Sequence, residues 1–234
     1  MVLTIGIDDA GRGPVIGPMI MAGVLLDDNG MAALEGQGIK DSKLLSHKQR
    51  VALEETIKSS SSGWKVVKAM PDDIDKALSD PGMNLNRLEA IKMAEIINEL
   101  NAGEDKITVI VDCPSINTES WGKMLVEYID HADNLDVKCE HKADFNHMIV
   151  GAASILAKVV REEEVSKIKE EFGAIGSGYP ADPNTKKFLA EKGLELKDSG
   201  IFRKSWATWR NMFGEEESVA NTLNKDSKQG KLDI

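Results

Sequence analysis

Four aspartates stand where an α/β protein places reacting groups. Asp8 and Asp9 close the first apolar run, Asp112 closes the β-branched run from Ile107 to Val111, and Asp144 lies near the start of a long helical pattern. In open α/β sheets, ligands bind outside the carboxyl ends of the strands. An aspartate in such a place also serves as an ordinary turn or cap residue, so no single one decides anything. Clustered, they carry a chemical requirement, because neighbouring carboxylates stay ionised only when a cation or a proton compensates them. All-oxygen sites favour Mg2+ or Mn2+. Two such ions about 3.5 to 4 Å apart activate a water and steady the leaving oxygen of an in-line phosphoryl displacement. Phosphodiester hydrolysis is the matching reaction.

Two further segments suit a nucleic-acid substrate. Gly11-Arg12-Gly13 follows the aspartate pair directly; two residues without a Cβ let the backbone approach a ligand, and the guanidinium matches a phosphate. Such a backbone can read a sugar 2′-hydroxyl, which both donates and accepts. A tight turn with a surface arginine is the plainer alternative. Gly176-Ser177-Gly178-Tyr179-Pro180 mounts an aromatic ring on a stiff loop, either as a platform for a sugar or base or as a core residue. Lys43, Lys142, Lys158, Arg161, Lys186, Lys187, Arg203 and Lys204 supply enough cations for a local phosphate track.

Other chemistries lack their residues. The four histidines, His47, His131, His141 and His147, form no i, i+4 pair and have no partner cysteines, which argues against zinc. There is no Gly-x-Ser-x-Gly elbow and no Walker loop. The two cysteines, Cys113 and Cys139, make no disulfide framework, so a reducing cytosol is expected. No apolar run reaches the roughly 18 residues of a membrane span, and the N-terminus has no basic leader region. The net charge of −10, from 29 basic and 39 acidic residues in a chain of 234, excludes polyanion binding by bulk charge. A local basic groove would be needed.

The elements that must position these groups follow from periodicity. Residues 3 to 7 and Val15 to Leu26 read as two strands, with Asp27-Asp28-Asn29-Gly30 as a turn. Ser46 and Gln49 form a capping box that opens a helix running to about Lys58, and residues 64 to 70 alternate as a strand. Leu85, Leu88, Ile91, Ala94, Ile97 and Leu100 mark an amphipathic helix with Met93 in the core. Ile107 to Val111 suits a strand buried on both faces, followed by a helix from about Glu119 to Ile129 and a short strand before Lys142. Cys113 should be a small buried apolar group. A single helix should run from Asp144 to Phe172 and stop at Gly173, with Gly151-Ala152-Ala153-Ser154 permitting close backbone packing. Its Glu162-Glu163-Glu164 run, with Glu163 paired to Lys167, reads as a solvated face. The expected fold class is α/β, a mixed sheet flanked by helices with a helical C-terminal part. The expected division is a catalytic domain at 1–172, a helical substrate-binding part at 173–213 and a disordered tail at 214–234.

The segments IGIDDAGRGPVIGPM, KDSKLLS, EHKAD, AASILAKVVRE, GSGYPADP and FRKSWAT, in this order over roughly residues 4 to 209, resemble the archaeal and eukaryotic branch of type 2 ribonuclease H. The resemblance implies a ribonuclease H-like sheet. It also implies a divalent-metal endonuclease, using two Mg2+ or Mn2+ ions, that cuts the RNA strand of RNA/DNA hybrids. The same enzyme would cut on the 5′ side of single ribonucleotides embedded in duplex DNA, leaving 3′-hydroxyl and 5′-phosphate ends. By position, Asp8, Asp9, Asp112 and Asp144 would be the metal-binding carboxylates. Gly11, Arg12 and Gly13 would recognise the 2′-hydroxyl and its neighbouring phosphate, and Tyr179 would pack on the following deoxyribose. Lys43, Lys142 and Lys187 would contact phosphates.

One position departs from the family pattern, which has glutamate where this chain has Asp9. A methylene fewer withdraws the carboxylate by roughly 1.5 Å, one C–C bond. The backbone must shift, a water must intervene, or activity must fall; the retained charge and ligand type favour a weakened but working site. Rival readings are a non-cleaving hybrid-binding module and another ribonuclease H-like nuclease, such as a junction resolvase or transposase relative. Monomeric action is the default. The end of the chain, Lys228 to Ile234, loosely resembles peptides that dock on DNA sliding clamps but lacks their closing aromatics, which leaves a clamp as a weak partner candidate beside plain disorder.

Overall fold

The computed structural model describes residues 2–39, 44–103 and 105–214. Five strands, β1 (Leu3–Ala10), β2 (Met19–Leu26), β3 (Gly63–Ala69), β4 (Ile107–Asp112) and β5 (Leu135–Glu140), form one sheet in the order β3-β2-β1-β4-β5. β1 pairs antiparallel with β2 and parallel with β4; β2–β3 is antiparallel and β4–β5 parallel. The mixed α/β sheet is the expected class. Helices α1 (Asp28–Leu34), α2 (His47–Ser60), α3 (Pro71–Leu78), α4 (Leu85–Leu100), α5 (Thr118–Val126), α6 (Ala143–Asn146), α7 (Met148–Phe172) and α8 (Pro183–Lys192) surround it, and residues 207–214 are helical. Among the described residues, no helix is long and apolar enough to cross a membrane.

Period-two alternation along the strands divides the core. Ile5, Ile7, Met19 and Met21 face one side, with Met93 and Ile97 of α4 and the buried Cys113. Ile20, Ala22, Val24 and Leu26 face the other, with Val150, Ala153 and Ala157 of α7. Gly6 lets α7 lie directly on β1, since a Cβ there would stand 2.6 Å from the backbone carbonyl group of Ile149. A third cluster joins Val15, Ile16 and Val165 to Phe188, Phe202 and Trp209. It is sewn to the sheet's entry loop by Val15 N–H to Gly178 O at 2.9 Å and Arg203 N–H to Val15 O at 2.9 Å.

Several boundaries differ from expectation, each for a local reason. β2 begins at Met19, not Val15: Gly17 has φ 88° and Pro18 follows, and Ile16 bridges to Phe202 instead. β1 runs past residue 7 to Ala10, because Asp8, Asp9 and Ala10 keep partners in Ala22, Met21 and Ile20. Asp27 to Gly30 is no turn; Asp27 caps α1, its Oδ1 accepting from Gly30 N–H at 2.7 Å. The helix expected from Asp144 is broken at His147 into α6 and α7, and α5 stops at Val126. The acidic run on α7 is no solvated face: Glu162 takes Arg50 and His47 of α2, and Glu164 takes Lys68 of β3 at 2.9 Å. Lys167 pairs with Glu164 at 2.8 Å rather than with Glu163. The Ser46 capping box and the Gly173 stop form as anticipated.

Candidate active site

The pairing of Ile7 with Val111 sets Asp8, two residues before the end of β1, level with Asp112 at the end of the neighbouring parallel strand β4. Asp112 Oδ1 accepts the Ala143 N–H at 2.7 Å, which anchors the start of α6 on the end of β4. Asp144 is the next residue, only 4% exposed. Lys142 makes the sharp entry into α6 at φ 58°, the single non-glycine positive φ among the described residues, and its side chain is exposed. Asp8 is 5% exposed. Burial, then the charges of Asp9 and Asp112, hold its carboxyl well above the ordinary range, against a hydrogen bond from Ser154. Lys158, one turn along α7, donates to Ser154 Oγ at 2.8 Å.

Consecutive strand residues point to opposite faces. Asp8 accordingly meets Ser154 of α7, while Asp9 lies in the field of Glu89 of α4. Burial first, then Glu89 and Asp112, push Asp9 up to about 7, with Arg12 and Arg203 opposing. Asp9 therefore points to the opposite face of β1 from Asp8, and aspartate is the shorter of the two acidic side chains. Among the described residues, no group of three or more His, Cys, Asp or Glu is so disposed as to hold a metal ion. Two of the carboxylates accept from backbone donors, Asp8 from Asp9 N–H at 2.8 Å and Asp112 from Ala143 N–H at 2.7 Å. The donor set, acidic oxygens repelling one another in low dielectric, is nonetheless one that a hard divalent cation fits.

Beside this cluster lies the glycine loop. Gly11 has φ 84°, and a Cβ there would meet Arg161 Cδ at 2.5 Å and the Pro18 carbonyl oxygen at 2.9 Å. Its carbonyls are tied from behind: Arg203 donates to Gly11 O at 2.6 Å and to Arg12 O at 2.9 Å, and Trp206 Nε1 to Gly13 O at 3.1 Å. Because C=O and N–H of a trans peptide point oppositely, the N–H groups of Arg12 and Gly13 face away from Arg203. Tyr179, 42% exposed, lies against this loop, 3.4 Å from where a Gly13 Cβ would be. The Arg161 guanidinium stands 5.1 Å from the Tyr179 ring centroid. Asp9, Gly11, Arg12, Gly13, Lys158 and Tyr179 line one cavity of about 280 Å³. A larger cavity of about 870 Å³ beside Thr4, Leu34 and Thr108 is lined by none of the four aspartates.

Other expected site residues lie elsewhere. Lys187 is on the exposed side of α8, with Glu191 at 3.9 Å, and Lys43 is outside the described residues. Arg203, grouped above with a phosphate track, is instead completely buried. Its three nitrogens donate to the carbonyl oxygens of Gly17, Arg12 and Gly11.

The ribonuclease HII family model matches residues 5–209. The chain belongs to the ribonuclease HII family. Ribonuclease HII of Methanococcus maripaludis is 40% identical over 216 residues, covering 92% of this chain and 89% of that protein. The crystal structure of ribonuclease H2 from Pyrococcus horikoshii superposes with a TM-score of 0.79 at 33% identity, over 92% of this chain and 98% of the other. Ribonuclease HII of Archaeoglobus fulgidus, solved in complex with PCNA, gives 0.77 at 36% identity, covering 88% and 95%. At greater distance, the fold alone is shared with Bst ribonuclease HIII in complex with Mn2+, TM-score 0.71 at 22% identity, over 89% of this chain and 68% of that one. The resemblance carried by the sequence segments, and the ribonuclease H-like sheet, are thereby borne out.

Asn86, Glu89, Ser154 and Trp206 also contact the loop or the carboxylates, and no spacing in the sequence marks Asn86, Ser154 or Trp206 as a site residue. Glu89 had a signal: it stands at i, i+4 spacing between Leu85 and Met93, a charge on the apolar side of α4.

Proposed function

We propose that this protein hydrolyses the RNA strand of RNA/DNA hybrids and cuts on the 5′ side of single ribonucleotides in duplex DNA. The observation that carries this reading is the adjacency of two groups. Asp8 and Asp112 lie in each other's field on the paired strands β1 and β4, Asp144 follows the Ala143 that Asp112 anchors, and the Gly11–Gly13 loop with Tyr179 lines a cavity beside Asp9. Mg2+ or Mn2+, as a pair of ions, would supply an activated water and charge neutralisation at the leaving 3′-oxygen. Asp8 and Asp144 would hold the ion nearer the attacking water; Asp112 and Asp9 complete the ligand set. The outward N–H groups of Arg12 and Gly13 suit a ribose 2′-hydroxyl, the Arg12 guanidinium a phosphate, and Tyr179 the deoxyribose that follows. Lys142 and Lys187 are candidates for phosphates farther along the strand. Products carry 3′-hydroxyl and 5′-phosphate ends.

The test is a duplex with one ribonucleotide, compared with the same duplex in deoxyribonucleotides, with Mg2+ or Mn2+. Cleavage of the first alone is expected. Cleavage of both favours a general ribonuclease H-like nuclease, and binding without cleavage under either metal favours a hybrid-binding module. The PCNA complex of the Archaeoglobus relative makes a sliding clamp a candidate partner here. Deleting residues 222–234, which lie outside the described residues, should then weaken clamp binding.

A further inference from the structure

Glu89 is a carboxylate with no exposed surface, on the core side of α4. A buried carboxylate is tolerated only when paired and hydrogen-bonded. Its partner is Arg12, whose Nε lies 2.8 Å from Oε1 and 3.0 Å from Oε2. Asn86, one turn earlier on the same helix, accepts from Arg12 Nη2 at 2.6 Å. Asn86 is itself fixed, since its carbonyl oxygen accepts from Trp121 Nε1 of α5 at 3.1 Å. Three oxygens on one helix thus set both the position and the plane of the guanidinium. Among the described residues Nη1 donates to no protein acceptor, and the Arg12 side chain is 39% exposed, lining the cavity with Gly11, Gly13 and Tyr179.

We propose that Glu89 and Asn86 are positioning residues for ribonucleotide recognition: they hold Arg12 so that its Nη1 edge presents one fixed phosphate site beside the 2′-hydroxyl-reading loop. A flexible arginine would surrender its rotamer freedom on binding; this one has surrendered it in the folded protein, which favours the complex. The buried counter-charge also tempers the attraction of Arg12 for phosphates in general, so that a phosphate is held well only with the adjacent sugar in register. The inference rests on the function proposed above and deepens it.

The test is a double-mutant cycle of Glu89→Gln with Arg12→Ala, in which KM and kcat are measured on the duplex with one ribonucleotide. Glu89→Gln is expected to raise KM about tenfold, equivalent to about 1.4 kcal/mol, with kcat changed less than twofold. In the Arg12→Ala background it should add nothing. An equal loss in both backgrounds, a fall in kcat at unchanged KM, or no effect at all would overturn the positioning role. Should Glu89→Gln fail to fold, Asn86→Ala in the same cycle reads the same coupling, with a smaller rise in KM expected and additivity as the overturning result. If the unaltered protein does not separate the ribonucleotide duplex from the all-deoxy one, the proposed function fails; if it does and the cycle is additive, only this inference fails.

Discussion

Arg203 Nη2 donates to the carbonyl oxygen of Gly11 at 2.6 Å, across 192 positions of sequence. The same guanidinium reaches Arg12 O and Gly17 O, both at 2.9 Å. One buried side chain from the C-terminal part therefore shapes the loop that lines the cavity beside Asp9 and Tyr179.

Replacing Arg203 by methionine strands three carbonyl groups. At about 1 to 3 kcal/mol for each unsatisfied buried group, Arg203→Met should cost at least about 3 kcal/mol in urea unfolding. Cleavage of a ribonucleotide duplex should fall even at temperatures where the variant stays folded. A variant with native stability and full activity would refute the bracing role.

Gly6→Ala forces a methyl group to 2.6 Å from the Ile149 backbone. Overpacking of this kind costs about 1 to 3 kcal/mol, and here the clash is with backbone that cannot rotate away. The shift should also separate Ser154 from Asp8, so loss of activity should accompany a lowered urea midpoint.

Asp9→Glu lengthens the side chain at this position by one methylene. Faster cutting of a single-ribonucleotide duplex, by about tenfold or roughly 1.4 kcal/mol in the barrier, is expected with Mg2+ or Mn2+. An unchanged or slower rate would show that reach at this position does not limit the reaction.

Glu89 releases its proton near its ordinary 4.5 in the unfolded chain and at about 7 in the folded one, burial being the main cause. The folded protein binds more protons between these values, so the contribution of Glu89 to stability is full below about pH 4.5 and is lost as the pH rises through 7. The loss should be on the order of 2 to 4 kcal/mol. Urea midpoints at pH 5 and pH 8 in a chelator should fall more steeply for the unaltered protein than for Glu89→Gln; parallel slopes would contradict the assignment.

Much of this architecture was legible in the residues. The α4 stripe, the Ser46 box and the β-branched run before Asp112 are local patterns, and each produced the element expected. So was the gathering of Asp8 and Asp112, because strand ends are local and β4 adds to the sheet beside β1. The helices α3 and α8 were missed although both begin with proline at the first turn, and Asp182 caps α8. The burial of Arg203 was not legible. An arginine reads as surface until the carbonyls that consume its donors are known, and these belong to the opposite end of the chain. The opposed directions of Asp8 and Asp9 need only strand alternation, but a strand read as residues 3 to 7 stops short of both, whereas β1 runs to Ala10.

The distance in sequence between Gly11 and Arg203 has a consequence for the making of the protein. A ribosome emits the glycine loop among its first products and the arginine that shapes it near the last. At about 5 to 20 residues per second, the interval is roughly 10 to 40 s. Throughout that time the glycine loop lacks the side chain that ties back its carbonyls.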